Sequence, residues 1–114
     1  MKKTIIGLTE EIIVYGQEGN QKQVKARIDT GATKSSIDTK LAANIIIGPV
    51  KSIRIVKSAH GQTMRPIVEA DIELKGKHIK TSFTIADRSH MKYKILIGQN
   101  TLCGNDFYVD PDIK

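Results

Sequence analysis

The chain has 114 residues, 39% of them apolar, with no Trp, two Phe and three Tyr, which is enough for one modest core and too little for two domains, so residues 1–114 are expected to form a single domain. Eighteen basic against twelve acidic residues give a net charge of +6, which favours acidic partners; the lysines are dispersed (Lys2, Lys22, Lys40, Lys57, Lys75, Lys92), with no arginine-rich block and no aromatic ladder for stacking bases, so no nucleic-acid partner is expected. A single cysteine excludes an intrachain disulfide, and no apolar run is long enough for a signal peptide or a membrane span, so the expectation is a soluble cytoplasmic protein with no membrane partner and with Cys103 as a buried structural thiol.

The core must come from Ile, Val, Leu and Ala, and β-branched side chains suit a pleated surface. A first hairpin is predicted from about Ile12 to Asp29, turning at Gly19 and Asn20 and placing Val24, Ala26 and Ile28 on one face. "IDTKLAAN" follows, with Asp38 as the N-cap of a short helix. "SIRIVKS" and "TMRPIVEADIEL" pair across "AHGQ", whose glycine tip projects from the body. Val68, Ala70, Ile72 and Leu74 alternate with polar residues, "KGK" supplies a turn, and Ile79, Thr81, Phe83 and Ile85 alternate again. In "YKILIGQN" the apolar residues are consecutive, as in a strand covered on both faces, and "GQNTLCG" makes about one helical turn before Gly104. No repeat or proline-rich linker interrupts this all-β pattern.

The alternating run through Ile28 ends on a carboxylate and a glycine turn, Asp29-Thr30-Gly31-Ala32. A lone carboxylate cannot be acid and base at once, but two about 3 Å apart share a proton, so that one takes a proton from water while the other polarises a carbonyl. One such turn per chain requires a twofold axis, with each protomer of a homodimer giving one Asp29. Gly31 permits the tight turn, and Thr30 offers a short hydroxyl that can bond across the axis. Ala32 offers no hydroxyl to an ionised neighbour, so activity is expected to extend to weakly acidic or neutral pH.

"IDTGATKSSID", followed about seventy residues later by "KILIGQNTL", resembles a retropepsin-type aspartic protease. A closer resemblance is to the small prokaryotic retropepsin-like family labelled ATP-dependent zinc proteases and associated with RimK-type glutamate ligases; it is carried by "DTGATKSS", "RPIVEADIEL", "FTIADRSHMKYKILIGQNTL" and "FYVDP". The resemblance implies a closed retropepsin-like β-barrel (acid protease fold) with one or two short helices, a homodimer acting on peptide or protein, and Asp29 as the catalytic residue of each protomer. It also implies that Ile97 and Gly98 support the active-site loop from beneath. By order along the chain, the flap falls around "KSAHGQTM", with Ser58, Ala59, His60, Gly61 and Gln62 nearest the substrate. Gln99 stands where these relatives commonly have Arg, so an ion pair there is not expected.

Nothing in the residues supports the zinc or ATP of that label. His60, His78 and His90 are widely spaced, there is no His-Glu-x-x-His and no phosphate-binding glycine loop, so no metal and no cofactor are expected. Thr33, Ser35 and Ser36 have no histidine to activate them and read as loop residues. Asp87, Arg88 and Met91 either face substrate or build the loop into the last barrel strand, the simpler account being an Asp87–Arg88 pair that stabilises the turn beside a buried Met91, while Arg54 and Arg65 are surface residues or contacts for acidic side chains. The leading functional expectation is an aspartic endopeptidase, extended to acidic substrates by the net charge and the ligase association. The rival is a catalytically silent retropepsin-fold module for peptide binding or dimerisation.

Overall fold

The computed structural model describes residues 2–114, apart from the side chain of Ser58. The elements are β1 (Thr4–Ile6), β2 (Thr9–Tyr15), β3 (Gln21–Ile28), β4 (Ser35–Asp38), α1 (Thr39–Asn44), β5 (Val50–Ser58), β6 (Gly61–Leu74), β7 (Lys77–Ala86), β8 (Ile95–Ile97), α2 (Gln99–Leu102) and β9 (Phe107–Val109). The predicted hairpins are β2–β3, β5–β6 and β6–β7. Both short helices form as expected: Asp38 caps α1 by accepting from the Lys40 amide, and α2 stops just before Gly104, whose φ is +81°.

Strands β2, β3, β8, β4, β7 and β6 are neighbours in that order, and β2 pairs with β6 to close a six-stranded barrel. Closure removes the free edges that an open sheet would expose. Strand β8 lies between β3, to which it is parallel, and β4, to which it is antiparallel. Ile95 and Ile97 of this strand are fully buried, and Leu96 on its other face is half-buried. The inward side chains are those the alternation marked: Ala26 and Ile28, Val68 to Leu74 at every second residue, Ile79 and Phe83, with Ile95 and Ile97 fully buried. Burial of each such isoleucine contributes about 1.5–3 kcal/mol.

Strand β6 is long enough to serve two purposes. Its second half belongs to the barrel, whereas its first half pairs with β5 alone and carries that hairpin away from the body. At the opposite end of the chain, β1 and β9 form a parallel two-stranded sheet, and the tail folds back so that the Leu8 amide reaches the Ile113 carbonyl at 2.7 Å. Among the described residues, no helix is long and apolar enough to cross a membrane.

Candidate active site

Asp29 follows the last residue of β3, where the chain leaves the barrel. Its amide donates to the Ile97 carbonyl at 2.9 Å, and the Ala32 amide returns to the Asp29 carbonyl at 3.2 Å, closing the turn. The carboxylate is half-buried. Its Oδ1 accepts from the Gly31 amide at 2.9 Å, and its Oδ2 has no protein donor among the described residues. A methyl group at Gly31 would stand 3.3 Å from Oδ1, so glycine lets the amide reach this oxygen without crowding. Thr30 and Gly31 are exposed at the apex, and Ala32 is half-buried behind them.

Three consecutive amides hold this loop from below. Gly98 donates to Ser35 Oγ at 2.9 Å, Gln99 to the Ala32 carbonyl at 2.8 Å, and Asn100 to the Thr33 carbonyl at 3.2 Å. A Cβ at position 98 would come within 2.7 Å of the Lys34 carbonyl oxygen and 2.8 Å of that of Ala32, so only glycine permits the approach. Ile97 and Gly98 therefore sit directly under the loop, and Gln99 contributes a bond of its own, from Nε2 to the Thr30 carbonyl at 2.8 Å. A neutral side chain thus grips the loop apex.

Beneath that contact runs a buried polar chain. The Ser35 hydroxyl donates to Asn100 Oδ1 at 2.9 Å, which uses its only proton. The 2.6 Å contact to Thr101 must then be a bond donated by Thr101, and the 2.7 Å contact from Thr101 to Thr81 one donated by Thr81. Asn100 continues the chain through Nδ2 to the Ser82 carbonyl at 2.9 Å. Ser35 and Thr101 are fully buried, and no buried side-chain polar atom among the described residues lacks a partner. Sequence reading treated Ser35 as an ordinary loop residue. Its position two residues before the buried Ile37, on the same inward face, was the available signal.

A cavity of about 340 Å³ opens beside the loop, lined by Ala32, Ser36 and Leu96 on the barrel side and by Arg54 and Arg65 from the β5–β6 hairpin. The turn at the far end of the hairpin, Ala59 to Gln62, is exposed, with Gly61 at φ +119°; the side chain of Ser58 lies outside the described residues. The hairpin residues that reach toward the loop are thus mid-strand arginines.

Three expectations need correction. Asp87 and Arg88 both build the turn before β8, but not by pairing with each other. The Asp87 carboxylate accepts from the Ser89 amide at 2.9 Å, and hydrogen bonds from Ser89 hold its carboxyl below the ordinary 3.8. Arg88 is 9% exposed; its Nε donates to the Tyr93 carbonyl and its Nη1 to Ser36 Oγ, while its amide donates to Asp38 Oδ1 at 2.7 Å. Met91, expected to be buried, is 52% exposed because the turn carries it to the rim of the cavity. Cys103 is exposed as well, since α2 ends at Leu102 and the chain turns outward there.

On the other side of the loop is a second cavity, of about 480 Å³, whose walls include Thr30, Gln99, Leu102, Cys103, Phe107 and Val109. It joins the loop apex to the β1–β9 sheet, where Ile5 and Tyr108 are register partners and both are exposed. Among the described residues, no three His, Cys, Asp or Glu side chains converge to form a metal site.

Residues 38–114 match the model of the RimB-like family, described as the retropepsin-like aspartic endopeptidase RimB. The chain belongs to that family. The matched span begins after the Asp29 turn, so family membership and the geometry of that turn are separate observations. No curated protein matches the chain by sequence. Among solved structures, a Legionella pneumophila protein of unknown function is similar with a TM-score of 0.67 at 19% identity, covering 97% of this chain and 95% of that one. The simian foamy virus protease aligns with a TM-score of 0.61 at 16% identity, over 82% of this chain and 90% of the viral one. The EIAV protease, in complex with an inhibitor, gives 0.60 at 21% identity, over 86% and 83%. The RimB-like chain therefore has the retropepsin barrel.

Proposed function

We propose that this RimB-like chain is a homodimeric aspartic endopeptidase in which Asp29 of each protomer forms one half of the catalytic dyad. The observation that carries the reading is the Asp29 turn: a half-buried carboxylate with one oxygen fixed by Gly31 and the other open, on a loop held by three successive amides. With a second copy related by a twofold axis, the two carboxylates share one proton. The ionised Asp29 removes a proton from water as its oxygen attacks the scissile carbonyl, and the protonated Asp29 donates to the carbonyl oxygen. On collapse the C–N bond breaks, the first Asp29 gives the proton it took from water to the leaving nitrogen, and the second recovers its proton from a hydroxyl of the tetrahedral carbon.

The dimer face proposed here is the one on which Thr30, the 480 Å³ cavity and the exposed Ile5 and Tyr108 lie together. Thr30 is then a bonding group across the axis, and Ala59 to Gln62 form the flap tip. Extended peptide lies between flap and loop as an added strand, and the net charge of +6 favours acidic protein substrates.

The test is cleavage of a peptide library by the wild-type chain and by Asp29→Asn, which keeps the shape and removes the ionisable acid. Cleavage by the first and none by the second is expected. Cleavage by neither would favour the rival reading, a peptide-binding or dimerisation module without turnover, and equal cleavage by both would remove Asp29 from the chemistry. That rival has one observation in its favour, the start of the family match after Asp29.

A further inference from the structure

The 340 Å³ cavity beside the loop is strongly cationic for its size. Lys34, Arg54, Arg65 and Arg88 line it, against the single carboxylate of Asp87. Among the described residues, none of these four cations has a carboxylate within 4 Å. Arg54 and Arg65 are direct cross-strand partners in the hairpin, an arrangement in which like charges oppose one another and destabilise the pair. An anion between them removes that cost.

Arg88 strengthens the case from the other wall. Most of its side chain is buried, its Nε and Nη1 are occupied by Tyr93 and Ser36, and Nη2, the edge left open to solvent, has no protein acceptor among the described residues. The carboxylate most strongly coupled to it, Asp38, has its oxygens taken by the amides of Arg88 and Lys40. Asp87 is engaged by Ser89. Burial lowers the Arg88 guanidinium from its ordinary value, Asp38 partly counters it, and Arg27 adds to the lowering. A guanidinium with a free edge matches the planar geometry of a carboxylate.

We propose that this cavity is a substrate subsite for a carboxylate side chain, with Arg88 as its buried anchor and Arg54 and Arg65 closing over it from the hairpin. Ala32 in its wall is three residues from Asp29, so the acidic residue of the substrate lies close to the bond that is cut. The proposal rests on the peptidase reading for its location and narrows the preference for acidic substrates to one pocket and three arginines.

The test measures binding without turnover. Fluorescein-labelled octapeptides of Ala, Val and Leu, each with a single Glu at a successive position, are compared by anisotropy with their Gln counterparts on the Asp29→Asn chain. At one position Glu is expected to bind at least about 10-fold more tightly than Gln, as a charge-assisted bond to arginine predicts. The margin should shrink as salt is raised. The double variant Arg54→Gln/Arg65→Gln, made in the projecting hairpin where folding is least at risk, should lose most of that margin. Arg88→Lys, which keeps the charge and loses the fork, should lose part of it. Equal binding of Glu and Gln peptides, binding of neither, or an unchanged margin in the arginine variants would overturn the subsite. Cleavage by the wild-type chain is scored separately: a Glu preference without turnover removes the peptidase reading alone, and turnover without a Glu preference removes the subsite alone.

Discussion

The Asp29 loop and the β5–β6 hairpin both leave the same barrel, and they are held in opposite ways. Amides 98 to 100, the Gln99 side chain and a buried chain of hydroxyls all fix the loop to α2 and β8. The hairpin beyond Ile67 has its own ladder and little else, and Ile53, Ile55 and Met64 are each more than half exposed on it. Support is thus concentrated on the loop, as the proposed catalytic role of its carboxylate requires, and the hairpin proposed to admit a peptide has the less supported position.

The contrast can be broken most severely at its functional end. Asp29→Asn should lower the cleavage rate by about 10²–10⁴-fold, the usual share of a positioned acid or base, with the thermal midpoint read alongside to show that the barrel is intact. Gly98→Ala should come next, because its methyl group would press on two carbonyl oxygens at 2.7 and 2.8 Å. Overpacking of this kind costs about 1–3 kcal/mol in denaturant unfolding, and cleavage should fall as the loop shifts. Thr101→Val removes the middle hydroxyl of the buried chain and leaves Thr81 and Ser35 each short of a partner. A loss of about 1–3 kcal/mol is expected from the unpaired groups.

Changes on the hairpin should do far less to stability, which sharpens the comparison. Ile55→Thr, at an exposed β-branched site, should move the unfolding free energy by no more than about 0.5 kcal/mol. The smallest effect belongs to Asp87. Hydrogen bonds from Ser89 favour its ionised form, so its contribution is present above its ordinary 3.8 and disappears as the pH falls through the lower folded value. Thermal midpoints of wild type and Asp87→Asn should therefore differ slightly at neutral pH and converge in strong acid.

Much of this division was legible in the sequence. Period-two alternation located β6 and β7, the consecutive Ile95-Leu96-Ile97 marked β8 as a strand with little exposed surface, and Asp38 announced α1. What escaped depends on contacts between distant segments. Asn100 is 65 residues from Ser35, and although the spacing from Ile37 marks Ser35 as inward, no local pattern names the partners it meets there. Cys103 was expected to be a buried structural thiol, and Met91 to be buried beside the turn. Their exposure follows from turns that point outward, which periodicity does not encode. The cationic cavity escaped for the same reason: Lys34, Arg54, Arg65 and Arg88 come from four separate stretches, and only the fold gathers them.

Mixing subunits tests the shared dyad most directly. Wild-type chain is combined with increasing fractions of Asp29→Asn at constant total concentration, under conditions where subunits exchange, and the rate of peptide cleavage is followed. If two Asp29 carboxylates form one site, a mixed pair is dead and activity falls as the square of the wild-type fraction. A strictly linear decline would mean that each chain works with its own Asp29, contradicting the account.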